Sequence, residues 1–144
     1  MSDSVYIDTS ALAKWYLNEE NSDQFVKYLK SASRAIISSL TITEMRSLLA
    51  RRRRMKEITE PLETKIFSTF LLDIDNGFLA VEPVENKYFE QASHLISSLR
   101  EIPLRTLDAL HLSIITHQRI KILATADQTM IEAAKLLKID LKCF

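Results

Sequence analysis

Apolar positions change period along this chain. Short β-branched runs alternate with longer stretches in which apolar residues recur every three or four positions, the patterns of buried strands and of amphipathic helices. Ser4-Val5-Tyr6-Ile7 reads as a strand that gives way at Asp8-Thr9-Ser10 to a helix through Leu17. A second helix is predicted from Ser22 to Ala32, with Phe25, Val26 and Leu29 on one face, and Ala35-Ile36-Ile37 reads as strand two. Thr41 to about Lys56 carries the helical stripe Ile42, Met45, Leu48 and Leu49. The next helix opens near Thr59 and Pro61, where proline is tolerated in a first turn, and stops at Gly77. Its stripe is Leu62, Ile66, Phe67, Phe70, Leu71 and Ile74. Phe78 to Val81 forms strand three, ended by Pro83. Tyr88, Phe89, Ala92, Leu95, Ile96 and Leu99 mark a helix broken around Pro103, and Thr106 opens another to about His117. Ile120 to Thr125 is the fourth strand, Gln128 to Leu137 the last helix, and Ile139 to Cys143 fits a closing strand.

Strands separated by helices, in runs too long for hairpins, imply parallel crossovers and a sheet covered on both faces. The expected class is α/β with a central parallel sheet of four to five strands, and residues 1–144 are the right length for a single domain. Hydrophobic residues at 47% and charged residues at 26% fit a folded, globular chain and argue against disorder. Nineteen basic and nineteen acidic residues cancel, so a nucleic-acid partner has to be held by a local patch. The single cysteine, Cys143, excludes an internal disulfide, and no apolar run is long enough for a signal peptide or membrane helix. A reducing cytoplasm is the expected location, with no membrane partner. Gly77 is the only glycine, which excludes the Walker loop and the GxGxxG turn.

Against this frame four acids stand out. Asp8 and Asp127 directly follow strands one and four, Glu44 is placed in the first turn after strand two, and Asp108 lies in the first turn of the helix opened by Thr106. Ligands in open parallel sheets bind beyond the carboxyl ends of the strands. Three of the acids therefore belong at one edge, whereas the two helices between strands three and four leave the end occupied by Asp108 unfixed. Gathered carboxylates repel, and a bound cation is the usual way to keep them ionised. Each also has a plain structural reading. Thr41-Ile42-Thr43-Glu44 matches a capping box, Asp8 and Asp127 fit helix N-caps, and Asp108 suits the positive end of a helix dipole. Oxygen ligands without histidine or thiolate pairs select hard cations such as Mg²⁺ or Mn²⁺. His111, three residues beyond Asp108, shares its helical face and reads mainly as a core or supporting group. Trp15 and Tyr16 read as packing residues. In the run Arg51-Arg52-Arg53-Arg54 successive side chains fan out by about 100°, so the four cannot share one face. They fit either a solvated helix end or a contact with the phosphates of a nucleic acid.

Val5-Tyr6-Ile7-Asp8-Thr9-Ser10-Ala11-Leu12, Thr43-Glu44, the segment Leu104 to Leu112 around Thr106-Leu107-Asp108-Ala109-Leu110-His111, and Leu123-Ala124-Thr125-Ala126-Asp127 occur in an order and spacing that resemble the PIN-domain ribonucleases, in particular toxins of the VapC type. The similarity spans nearly the whole chain. It implies a three-layer α/β/α fold and a Mg²⁺- or Mn²⁺-dependent endoribonuclease leaving 5′-phosphate and 3′-hydroxyl ends. It also implies a homodimer and inhibition by a cognate antitoxin. By position it makes Asp8, Glu44, Asp108 and Asp127 the catalytic and metal-binding acids, with Asp8 and Asp108 the foremost ligands and Ser10 and Thr125 supporting hydroxyls. Lys138 stands where relatives often have glycine, and the run Arg51 to Arg54 is unusually dense. A housekeeping RNA- or DNA-processing nuclease and a catalytically silent binding module are the alternatives.

Overall fold

The computed structural model describes residues 4–144. Along the chain lie β1 (Ser4–Ile7), α1 (Thr9–Tyr16), α2 (Ser22–Ser31), β2 (Arg34–Ser38), α3 (Ser39–Arg54) and α4 (Glu60–Asp75). They are followed by β3 (Leu79–Glu82), α5 (Asn86–Ser98), α6 (Thr106–His117), β4 (Ile122–Thr125), α7 (Gln128–Leu136) and β5 (Asp140–Cys143). The five strands form one sheet in the order β3-β2-β1-β4-β5, and every neighbouring pair is parallel. Alternation along each strand sorts the core onto two faces. Val5, Ile7, Ala35 and Ile37 pack with the buried residues of α1 to α4, whereas Tyr6, Ile36 and Leu123 pack with α5, α6 and α7. This is the three-layer α/β/α arrangement expected from the sequence.

The order of the strands positions the site. Strand connections diverge between β1 and β4, which makes their carboxyl ends the crevice of the sheet. Asp8 follows β1 there, its N–H donating to Ala124 O at 3.1 Å, and Asp127 follows β4. The question left open for Asp108 is settled by packing. Helices α5 and α6 run antiparallel, since Tyr88 at the start of α5 meets Ser113, His117 and Gln118 at the end of α6. Because α6 then turns directly into β4, its amino end lies at the carboxyl edge of the sheet.

Two boundary expectations need correction. Strand β2 runs into α3 without a loop, so the helix begins at Ser39, not Thr41. Its capping box pairs Ser38 with Thr41, and Glu44 has no capping role and sits a turn deeper than the first turn. Strands β3, β4 and β5 each start one or two residues later than their apolar runs. The lost residues close the preceding helix: Phe78, Ile120 and Ile139 donate their N–H groups back to Asp73, Ile115 and Ala134. Each follows a residue in the left-handed region, Gly77 (φ 80), Arg119 (φ 55) and Lys138 (φ 59). On α4, Ile66 and Phe70 are buried as expected, but Leu62 and Leu71 of the predicted stripe are 41% and 39% exposed.

Left-handed backbone costs an L-residue about 1–2 kcal/mol, and glycine carries none of that strain. A Cβ at Gly77 would meet no heavy atom within 4 Å, so the cost of Gly77→Ala is conformational. Gly77→Ala is expected to lower stability by about 1 kcal/mol, and Lys138→Gly to raise it by about 0.5–1 kcal/mol once glycine's extra chain entropy is counted. Denaturant midpoints of the two variants should move in opposite directions.

Candidate active site

The acids arrive at the crevice from four separate elements and line one open cleft of about 940 Å³. Asp8 is the most deeply placed, at 4% exposure. Its Oδ1 accepts from Ser10 Oγ at 2.6 Å and from the Ala11 N–H at 3.1 Å, while Oδ2 accepts from Thr125 Oγ1 at 2.5 Å. Those hydroxyls also join the two strand ends. Ser10 Oγ accepts from the Ala126 N–H at 2.9 Å, and Thr125 Oγ1 accepts from the Asp127 N–H at 3.0 Å. Ser10 and Thr125 thus both donate to the Asp8 carboxylate.

The structural readings hold alongside the site for three of the acids. Asp8 caps α1, Asp127 caps α7 through Oδ1 to the Met130 N–H at 2.9 Å, and Asp108 accepts from the Arg105 N–H at 3.2 Å in a box at the start of α6. Glu44 is different. Its Oε1 accepts from Thr9 Oγ1 at 2.9 Å and lies 2.5 Å from His111 Nε2, so its role is within the cleft. The described bonds engage only one oxygen each of Glu44, Asp108 and Asp127. Among the described residues no group of three acidic, histidine or cysteine side chains is already gathered closely enough to hold an ion by itself, whereas Mg²⁺ is commonly held by one or two carboxylates with waters completing its octahedron.

Protonation follows these surroundings. Burial pushes the Asp8 carboxyl above its ordinary value, and the bonds from Ser10, Thr125 and Ala11 and the charge of His111 only partly oppose it. Asp108 is also raised, by burial first and then by repulsion from Asp127, against the opposing Arg105 N–H and the charges of Arg105 and His111. For Glu44 burial is again the largest influence and pushes upward, but the hydrogen bond and charge of His111 together with the Thr9 bond outweigh it, leaving the carboxyl below its usual value.

Helix α3 divides the arginine run. Arg51 and Arg54, three residues apart on one face, line the cleft. Arg52 pairs instead with Glu19 at 2.9 Å and Glu57 at 3.2 Å, and Arg53 Nε bonds the buried Glu63 at 2.7 Å. The apolar side of the cleft comes from Leu48, Ile96, Leu104 and Leu107. Trp15 packs on Phe78 with ring centroids 5.2 Å apart, and Tyr16 packs on Phe70, in keeping with a packing role for both. Sequence reasoning missed Thr9, and it missed Tyr6, whose hydroxyl lies 2.5 Å from His111 Nδ1, and it placed His111 without its bond to Glu44. The only sequence signal was the three-residue spacing from Asp108.

The pKa directions make the metal-free fold pH-dependent in a defined sense. Unfolded Asp8 and Asp108 titrate in the ordinary carboxylate range and the folded groups above it. Their contribution to stability is therefore full below the unfolded value and lost as pH rises through the folded one. Glu44 runs the other way, contributing above its unfolded value and losing that as pH falls through the lowered folded one. Asp8→Asn keeps an oxygen for the Ala11 N–H. In cation-free buffer it should gain stability relative to the parent as pH rises out of the carboxylate range. Denaturant titrations at acid and neutral pH measure this, and a parent–variant difference that does not grow with pH contradicts it.

Comparison with known proteins places the chain in a family. The PIN domain family model matches residues 5–136. The chain is 30% identical over 143 residues to ribonuclease VapC46 of Mycobacterium tuberculosis, an alignment covering 93% of this chain and 92% of that protein. Its fold is shared with the sarcin-ricin loop cleaving toxin VapC20 of M. tuberculosis at a TM-score of 0.73 and 18% identity, over 90% of this chain and 94% of that one. It is shared also with FitAcB of Neisseria gonorrhoeae at a TM-score of 0.71 and 15% identity, over 95% of each chain. With VapBC2 of Rickettsia felis, bound to a promoter DNA fragment, the TM-score is 0.68 at 12% identity over 98% of each chain. The chain belongs to the PIN-domain family.

Proposed function

We propose that the protein is a divalent-cation-dependent endoribonuclease that hydrolyses RNA phosphodiester bonds, and that it is the toxin of a toxin–antitoxin pair. The observation that carries this reading is the meeting of Asp8, Glu44, Asp108 and Asp127 in one cleft whose rim bears Arg51 and Arg54. Acids alone would repel an RNA backbone, and arginines alone would bind it without chemistry. The ribonuclease name of the 30%-identical relative supports the same activity.

The donor set fits Mg²⁺ or Mn²⁺, since the cleft offers carboxylate and hydroxyl oxygens and no thiolate. Asp8 and Asp108 would hold the ion, with Glu44 and Asp127 beside them. When bound, the cation supplies charge neutralisation at the phosphodiester and acidification of the attacking water. The chain's own groups do the rest. Arg51 and Arg54 hold phosphates flanking the scissile one, and Ser10 and Thr125 keep Asp8 oriented. Glu44, kept ionised by its bonds from His111 and Thr9, is a proton acceptor for the water. Water adds to phosphorus, the bond to the 3′-oxygen breaks, and that oxygen takes up a proton, leaving 5′-phosphate and 3′-hydroxyl ends. No covalent enzyme intermediate is required.

An antitoxin helix has a dock on the α3–α4 pair, where Met55, Leu62, Leu71 and Leu72 are exposed. The toxin reading accords with a toxin–antitoxin complex among the proteins of similar fold, and a homodimer is part of that reading. Among the described residues no helix is long and apolar enough to cross a membrane.

Asp8→Asn or Asp108→Asn should abolish Mg²⁺- or Mn²⁺-dependent RNA cleavage, and a purified variant that cuts at the parental rate sinks the assignment. The two arginine pairs should separate in RNA binding. Replacing Arg51 and Arg54 by glutamine is expected to reduce the dependence of log K on log salt by about 1.4, near 0.7 per phosphate contact on a single strand. Replacing Arg52 and Arg53 should leave that slope in place and lower stability. Equal slopes for both pairs would assign the run no selective contact with RNA.

A further inference from the structure

A buried polar chain runs beneath the cleft from Glu44 through His111 to Tyr6, and its Tyr6 end enters none of the steps above. Tyr6 lies in the middle of β1 at 0% exposure, and its hydroxyl is 3.0 Å from Ser38 Oγ and 2.5 Å from His111 Nδ1. The other ring nitrogen, Nε2, lies 2.5 Å from Glu44 Oε1. His111 is itself 3% exposed, and the two rings meet edge to face with centroids 5.6 Å apart. The components come from β1, the N-cap of α3, α6 and the second turn of α3. One hydrogen-bonded row therefore ties the strand that ends in Asp8 to the helices that carry Glu44 and Asp108.

Glu44 is an acceptor here, so Nε2 must carry the proton that faces it. The Tyr6 hydroxyl fixes the opposite nitrogen and so fixes the orientation of the ring. Without that hydroxyl the ring loses its only described hydrogen-bond partner at Nδ1, and only packing and the glutamate itself then orient Nε2–H. With it, Glu44 Oε1 is committed to His111 and Thr9, leaving Oε2 as the oxygen the carboxylate offers elsewhere. We propose that Tyr6 and His111 are positioning residues of this nuclease, a buried tyrosine–histidine pair that sets the orientation of Glu44 for a divalent cation and RNA. The proposal rests on the reading of the acidic cleft as a cation site. Neither residue touches substrate.

The test uses the full chain without RNA and takes Mn²⁺ affinity from electron paramagnetic resonance of the free ion, with thermal unfolding in chelator as a separate measure of folding. Removing a group that supports a ligand typically weakens metal affinity 10- to 100-fold. His111→Leu is expected to raise the Mn²⁺ dissociation constant by about tenfold or more. His111→Gln, which retains an N–H near the place of Nε2, should recover most of that loss. Tyr6→Phe removes one oxygen while leaving the ring in the core. It should fall between parent and His111→Leu, and it carries the test if the leucine variant does not fold. A merely structural role would lower the unfolding temperature of the leucine and glutamine variants alike and leave Mn²⁺ affinity unmoved. Parental affinity in folded Tyr6→Phe and His111→Leu would overturn the proposal. Asp8→Asn in the same assay separates the two ideas. If it too binds Mn²⁺ like the parent, the cation site itself is misassigned, whereas its loss beside unchanged Tyr6 and His111 variants condemns the positioning pair alone.

Discussion

The carboxylate of Asp8 is buried at the end of the central strand, and the rest of the site is arranged around the cost of holding it there. An ionised carboxyl taken from water without compensation is expensive enough to be neutralised instead. Ser10, Thr125 and the Ala11 N–H together supply three donors to its two oxygens. They do not complete the compensation, because burial still raises the carboxyl above its usual value. Under the proposed function, a divalent cation at the mouth of the crevice would complete it. The same donors bind the end of β4 to the end of β1 through Ala126 and Asp127, so the stabilisation of one acid also places another.

Charge on α3 is partitioned with similar economy. Glu44 and Arg51 to Arg54 occupy one helix, yet they serve three surroundings. Glu44 faces His111 and Thr9, Arg51 and Arg54 line the cleft, and Arg52 and Arg53 are held by Glu19, Glu57 and Glu63. Pairing Arg52 and Arg53 elsewhere keeps them from competing for the acids. A chain of zero formal charge can thus present a cationic rim over an acidic floor. That combination is the one the proposed cation-dependent cleavage of RNA calls for.

Much of the fold was legible because the period of the apolar positions is a local property. The five strands and their parallel direction follow from it, as does the placement of Asp8 and Asp127 beyond strand ends. The errors have local physical causes too. Phe78, Ile120 and Ile139 look like strand residues because they are apolar, but their amides close the helix before them. Thr41-Ile42-Thr43-Glu44 looks like a capping box because Ser38, three residues earlier, is hidden at the end of a strand that becomes a helix without a loop. What no local pattern could carry is pairing across the fold. Tyr6 and His111 are 105 positions apart, and the choice of which arginines face the cleft depends on glutamates from three other segments. Asp108 reached the correct edge of the sheet by resemblance. The structure supplies the reason, an antiparallel α5–α6 pair that feeds β4.

Under the proposed function, the crevice around Asp8 is a site for a hard divalent cation. An anomalous difference map from crystals of the protein grown with Mn²⁺ tests it most directly. The expected result is a peak bonded at about 2.0–2.2 Å to carboxylate oxygens of Asp8 and Asp108, with Glu44 and Asp127 around it. A peak bound elsewhere, or a loaded crystal in which the carboxylates of Asp8 and Asp108 stay more than about 8 Å apart, too far for shared coordination, would contradict it.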